Sequence, residues 1–247
     1  MSSNFIDLSH PLDESVQVYP GDPLMSSHPC ATIAKDGYNV TGLSLGSHTG
    51  THLDAPYHFV QDGRKIEEIL LEELVGRFAL VDLASDSFSE PGLSARQRIT
   101  WEDHILPALH KSGVLSSDGP RPKIMLIRTA WSEHFKTPKY FHHPYLTRDA
   151  AERILEAGFR VIGVDTPSPD ETPIDGVGGD EGFGFHEVIL GAGSMIVENL
   201  TNLESIASAI RRTDLHDGCW IVNLAPLRLV GCDGSPIRAM DLNAELS

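Results

Sequence analysis

The sequence predicts an α/β fold built on a mixed sheet, and three observations predict it. Short, nearly continuous apolar runs recur between residues 77 and 224, the pattern of strands covered on both faces. Segments with helical punctuation lie between those runs, so strands and helices alternate along the chain. The chain has 247 residues, 40% of them hydrophobic, which is enough to bury a core in one large domain or two small ones.

Taken in order, a helix is expected over 67–74, followed by a strand over 77–83, Arg77-Phe78-Ala79-Leu80-Val81-Asp82-Leu83. Residues 85–122 are polar and irregular, with Pro91-Gly92 and Asp118-Gly119-Pro120. They read as an excursion from the core, holding one helical stretch at 101–109 that Pro107 interrupts. A second strand is expected over 123–128. The next helix starts at Thr147, a suitable N-cap, carries Asp149 in its first turn and stops at Gly158. It leads directly into a third strand over 160–165. A fourth strand (195–200), a helix (202–211) and a fifth strand (220–224) complete the alternation. The stretch from Asp165 to Gly184 is long, acidic and rich in proline and glycine. It follows the C-terminal end of a strand, where α/β folds place their sites.

The bulk charge is 19 − 35 = −16, which argues against nucleic-acid and anionic-membrane partners. No segment approaches the eighteen or more apolar residues of a membrane span, and residues 1–7 lack the features of a secretory leader. Cys30, Cys219 and Cys232 form no CxxC pair and fit packing roles in a reducing compartment. A soluble, cytoplasmic protein is expected.

One segment carries chemistry. Between His48 and His58, three imidazoles (His48, His52, His58) and the Asp54 carboxylate occupy eleven positions. Their spacings are even, so an extended chain would turn all four to one side. Thr49, Gly50 and Thr51 are poor helix formers. The reading is a strand running into a tight loop, its polar face on a metal ion. Imidazole and carboxylate suit zinc, manganese or iron. Buried together without an ion, these groups would leave polar atoms unpaired at about 1–3 kcal/mol each. A single ion needs three protein ligands and water, and His48, His52 and Asp54 would serve. Two further candidates are His186, closing the acidic segment, and Glu198, a carboxylate sharing an apolar strand face with Ile196 and Leu200. Glu198 needs a metal or a partner such as Arg228. Two ions about 3.5–4 Å apart need bridging carboxylates, for which Asp54 and Glu198 are the natural pair. His142-His143 reads as surface or capping, and His104, His110 and His134 as solvated. Asp165 is expected to orient a ligand or to hold a turn, and Arg128 and Asp22 are further candidates for the orienting role.

The run from His48 to Phe59 resembles that of the cyclase-like metal-dependent hydrolases, which include bacterial kynurenine formamidase and isatin hydrolase. Val18-Tyr19-Pro20-Gly21-Asp22, Val161 to Ser168, and His186 to Leu190 followed by Glu198 resemble supporting stretches of that family. The resemblance implies one compact domain over 1–247, with a mixed sheet of the swivelling β/β/α type and flanking helices. It implies that His48, His52 and Asp54 hold a first ion and that Asp54, His186 and Glu198 hold a second. It makes His58 a proton shuttle rather than a ligand, and puts Tyr19 where formamidases carry a tryptophan against an aromatic substrate. The implied cofactor is zinc or manganese, one or two ions per chain, and the implied assembly a homodimer or homotetramer. The implied reaction is hydrolysis of a carbon–nitrogen bond in an arylformamide, as in tryptophan catabolism, or in a cyclic amide. A lactone hydrolase or ring-forming lyase is the alternative.

Overall fold

The computed structural model describes residues 5–84, 92–115, 121–174, 179, 182–212 and 220–242. In chain order the strands are β1 (Phe5–Asp7), β2 (Ser26–Ala31), β3 (Val40–Ser44), β4 (His52–Asp54), β5 (Val75–Asp82), β6 (Arg98–Ile99), β7 (Ile124–Arg128), β8 (Tyr145–Leu146), β9 (Val161–Val164), β10 (Met195–Glu198), β11 (Ile221–Asn223), β12 (Gly234–Pro236) and β13 (Met240–Leu242). The helices are α1 (Ile33–Asp36), α2 (Leu71–Leu74), α3 (Leu106–Lys111), α4 (Arg148–Glu156), α5 (Gly184–Gly191) and α6 (Leu203–Arg212). Nine strands form one mixed sheet in the order β1-β13-β11-β5-β7-β9-β10-β4-β12. Its middle, β5-β7-β9-β10, is parallel and its two wings are antiparallel.

The continuous apolar runs follow from two cores, one on each face of this sheet. In β7, Ile124 and Leu126 join one core while Met125 and Ile127 join the other. α6 packs into the first core through Leu203 and Ile206; α3, α4 and α5 pack into the second through Leu109, Ile154 and Ile189. A strand covered on both sides has no polar face, so period-2 alternation disappears.

Thr147 caps α4 by accepting a hydrogen bond from the Ala150 N–H at 3.2 Å, and Gly158 takes φ +99° beyond its end. The expected 67–74 helix is two short pieces, a 3₁₀ turn at Ile66–Glu68 and α2, each with a glutamate reaching back to cap it. In the 85–122 stretch, 85–91 and 116–120 lie outside the described residues, but the rest enters the second core through Ile99, Trp101, Ile105 and Leu109. Pro107 does not break that helix: it follows a π-helical turn, Trp101–Ile105, and falls in the first turn of α3, where no N–H is required. Cys30 is exposed on β2 rather than packed, and no helix among the described residues is long and apolar enough to cross a membrane.

Candidate metal centre

The even spacing between His48 and His58 does not produce one strand. Gly50, at φ +66°, sits in the turns that precede β4, so only His52 and Asp54 are on the strand. His48 comes from the preceding turns, and Pro56 opens a 3₁₀ turn that carries His58. The four side chains still converge, through turns rather than pleat. β4 pairs antiparallel with β10, setting Glu198 opposite His52 and Ile196 opposite Asp54. Cross-strand partners share a face, so Glu198 joins His52 and Asp54 from the neighbouring strand. Glu198 also ends β10, at the C-terminal edge of the parallel strands. His186 arrives from the first turn of α5.

Distances define two overlapping groups around Asp54, besides a third made of His48, His58 and Asp233. His48 Nδ1 is 2.7 Å from Asp54 Oδ1, and His52 Nε2 is 3.3 Å from the same oxygen. His186 Nε2 is 3.6 Å from Asp54 Oδ2 and 3.3 Å from Glu198 Oε1, while Glu198 Oε2 is 3.2 Å from His52 Nε2. The donors of His48, His52 and Asp54 lie within 4.8 Å of one another, as do those of Asp54, His186 and Glu198. Asp54 belongs to both. His52, Asp54, His186 and Glu198 are all buried.

Neighbours fix which nitrogen each imidazole offers. His52 Nδ1 donates to the Gly50 carbonyl at 2.7 Å, and His186 Nδ1 meets Asp170 Oδ2 at 2.6 Å. A carbonyl only accepts, so His52 Nδ1 carries the proton and Nε2 is turned to the cluster. A carboxylate on the far nitrogen of His186 is the usual support of a metal-binding imidazole. Asp170 is itself held by the backbone N–H groups of Phe185 and His186.

The electrostatics ask for positive charge. Burial opposes protonation of His52, but Asp54 and Glu198 overcome it and raise its pKa to about 10. Burial likewise opposes protonation of His48, and Asp54 with Asp233 raises it to about 9. His186 is pushed up against the same penalty, by Asp170, Asp54 and Glu198. Asp54 is held well below the carboxylate range despite its burial, by His52 and His48. Even so, His52 Nε2 and Asp54 Oδ2 are buried without a hydrogen-bond partner among the described residues. An unpaired nitrogen and an unpaired oxygen within one buried set of imidazoles and carboxylates fit a divalent cation.

Asp233, in the turn before β12, escapes the sequence reading. Its Oδ2 is 3.0 Å from His48 Nε2 and 3.2 Å from His58 Nδ1, and its Oδ1 accepts from Ser47 Oγ at 2.9 Å. Side-chain hydrogen bonds from His48 and His58 hold its carboxyl far below the usual range. The next residue, Gly234, leaves room for the His48 ring: a Cβ there would lie 2.7 Å from His48 Cε1.

The cluster forms one wall of a cavity of about 530 Å³. Tyr19, Phe59, Tyr140, Phe141 and Phe183 supply aromatic surface, and His58 also faces it. The Tyr19 hydroxyl is buried, close to Thr172 and near enough to Glu198 and His186 to feel their charge. Other candidates lie elsewhere. His143 is buried, not superficial: burial lowers its pKa to about 4, its Nδ1 donates to Pro144 O, and its Nε2 meets Thr172 Oγ1. Asp165 accepts from Thr129 N, Thr129 Oγ1 and Ala130 N and so ties down the turn after β7. Arg128 pairs with Asp82, and Asp22 lines the cavity. Glu198 is partnered by His52 and His186, not by Arg228.

A sequence model of the Cyclase family matches residues 6–171. Kynurenine formamidase of Bacillus cereus is 31% identical over 242 residues, 97% of each chain, and that of Bacillus anthracis is equally similar. The solved structure of isatin hydrolase A from Labrenzia aggregata superposes with a TM-score of 0.76 over 98% of this chain and 94% of the other, at 22% identity. That likeness speaks for the fold, and the relatives at 31% speak for descent. The family match and the full-length relatives together place this chain in the cyclase family.

Proposed function

We propose that the chain is a metal-dependent hydrolase of a carbon–nitrogen bond other than a peptide bond, in an arylformamide or a cyclic amide. The observation that carries the reading is the pair of donor groups sharing Asp54, with His52 Nε2 and Asp54 Oδ2 left unpaired between them. His48, His52 and Asp54 would hold one divalent ion, and Asp54, His186 and Glu198 a second. Zinc or manganese suits such a set of nitrogen and oxygen donors. When bound, such an ion lowers the pKa of water from 15.7 to about 7 and polarises a carbonyl oxygen.

The chain supplies the rest. Asp233 Oδ2 accepts from His58 Nδ1 at 3.2 Å, which leaves the Nε2 lone pair to take a proton and return it to a departing nitrogen. Asp233 thereby orients His58 and His48 with one oxygen. The aromatic walls, Tyr19 among them, favour a flat aryl group, and the cavity volume suits one small substrate. The relatives named kynurenine formamidase support an arylformamide, of which N-formylkynurenine, from tryptophan catabolism, is the first to test.

The whole chain acts as one unit in this reading, since the site draws on residues from Tyr19 to Asp233. A homodimer or homotetramer fits the β2–β3 hairpin, where Leu24, Ile33, Tyr38 and Leu43 are exposed. Charge and composition support a cytoplasmic protein acting on a small molecule without nucleic acid or membrane. The test is turnover of N-formylkynurenine, isatin and simple lactones by the protein loaded with zinc or manganese, with and without chelator. Chelator-sensitive hydrolysis of either amide is expected. Turnover of lactones alone would redirect the reading to ester chemistry, and turnover indifferent to chelator would overturn it.

A further inference from the structure

We infer that Asn199 is a built hydrogen-bond donor for the carbonyl oxygen of the substrate. This deepens the hydrolase reading and rests on it for the reaction, though not for the binding contact. Asn199 follows Glu198 and adopts φ +57°, a left-handed conformation that costs a non-glycine residue energy unless its surroundings enforce it. Three hydrogen bonds enforce it. Its N–H donates to Thr166 O at 3.0 Å, its carbonyl accepts from Thr51 Oγ1 at 2.6 Å, and its Oδ1 accepts from Tyr140 Oη at 2.9 Å. Tyr140 is fully buried and packs edge-on against Phe135.

That arrangement assigns every polar atom of Asn199 but one. With Oδ1 committed to Tyr140, the carboxamide can present only Nδ2 elsewhere. Nδ2 has no acceptor among the described residues, and Asn199 lines the same cavity as His58 and Glu198. A left-handed turn alone would be met by glycine, so the buried tyrosine that orients a carboxamide is unexplained by the turn. An amide N–H₂ has two donors and no acceptor. It selects a neutral carbonyl compound and disfavours a cation. Placed one residue beyond Glu198, it is positioned to donate to a carbonyl oxygen as negative charge develops there, without moving during the reaction. Asn199 would then be a catalytic residue and Tyr140 a positioning residue.

Asn199→Asp keeps an oxygen for Tyr140 and removes the donor. We expect kcat/KM to fall by about 10²–10³-fold, the size of a lost oxyanion donor, with metal content unchanged. Asn199→Gly tolerates the backbone and should show the same loss. Tyr140→Phe should lose less in the wild-type background and nothing further in the Asn199→Asp background, because the two act as one unit. A readout without turnover is the infrared carbonyl stretch of ¹³C-labelled formanilide bound to the metal-free protein. Its frequency should drop on binding the wild type and fail to drop with Asn199→Asp. Equal frequencies in the two proteins, no binding of formanilide, additive losses in the double variant, or loss of metal from both Asn199 variants would each overturn the inference. A frequency drop confined to the wild type, with no amide hydrolysed, would keep the donor and overturn the hydrolase reading alone.

Discussion

Two buried carboxylates, Asp54 and Asp165, lie near the C-terminal edge of the parallel strands, and they are satisfied in opposite ways. Asp165 accepts hydrogen bonds from three donors on Thr129 and Ala130, which reach both of its oxygens. Asp54 is ringed by His48, His52 and His186, yet its Oδ2 and the nearby His52 Nε2 have no hydrogen-bond partner among the described residues. The first carboxylate closes a turn; the second lies where imidazoles and a further carboxylate converge. Asp241 refines the lesson. Both of its oxygens are buried without a hydrogen-bond partner, and no imidazole pairs with it, among the described residues; burial alone pushes its pKa up to about 7. An unpaired atom is therefore not a site. Several unpaired atoms of complementary chemistry, aimed at one point, are.

Substitutions can break this contrast, beginning with the most severe. Asp54→Ala removes the ligand common to both groups. The purified variant should carry no metal by elemental analysis and show no turnover above background. His58→Ala should retain metal and lose about 10²–10⁴-fold in turnover, the usual worth of a general acid–base. Metal lost together with activity would make His58 a ligand instead. Asp233→Asn should cost about 10–100-fold in metal affinity or rate, as for other groups that orient ligands, measured by competition with a colorimetric chelator. Asp165→Asn should do the reverse of Asp54→Ala: full metal occupancy, with stability to urea reduced by about 1–3 kcal/mol.

The smallest effect is in pH. Asp241 and Asp165 have folded pKa values near 7 and 6, above the 3.8 of an unperturbed aspartate. A raised carboxyl binds its proton more tightly when folded, so stability is lost as pH rises from about 4 through 7. His48 and His52, raised to about 9 and 10 in the metal-free protein, extend the decline above pH 6.5. Between pH 4 and 6.5 His10 and His143, each lowered by burial to about 4, work the other way, so melting of the metal-free chain should change little from pH 5 to pH 6 and fall from pH 6.5 to pH 9. Metal binding expels the imidazole protons and should flatten the upper part, while Asp241→Asn should leave the two buried histidines less opposed and turn the lower part into a rise.

Much of this was legible in the chain itself, for reasons that differ by region. The central strands announce themselves because both of their faces are apolar, and α4 because Thr147 and Gly158 mark its ends. β1, β12 and β13 did not, since three-residue strands such as Gly234–Pro236 carry no period. His48, His52 and Asp54 stand out because they are dense in sequence. Glu198 stands out because an unpaired charge is foreign to an apolar strand. Asp233 had no such signal: it lies in a Gly-Cys-Asp-Gly turn and reaches its partners across 175 and 185 positions of chain. Asp170 and Asn199 were hidden for the same reason, because a turn residue's role is decided by what the fold brings to it.

Gly234 has a bearing on how such a centre can change over time. With hydrogen in place of a methyl group, it cedes the volume that the His48 ring fills. Alanine at that position would press on the ring without altering a single donor atom, so a neighbour outside the coordinating set can tune or abolish ion occupancy. Drift at this one small position could retire the enzyme's chemistry while every residue that defines its motif stays in place.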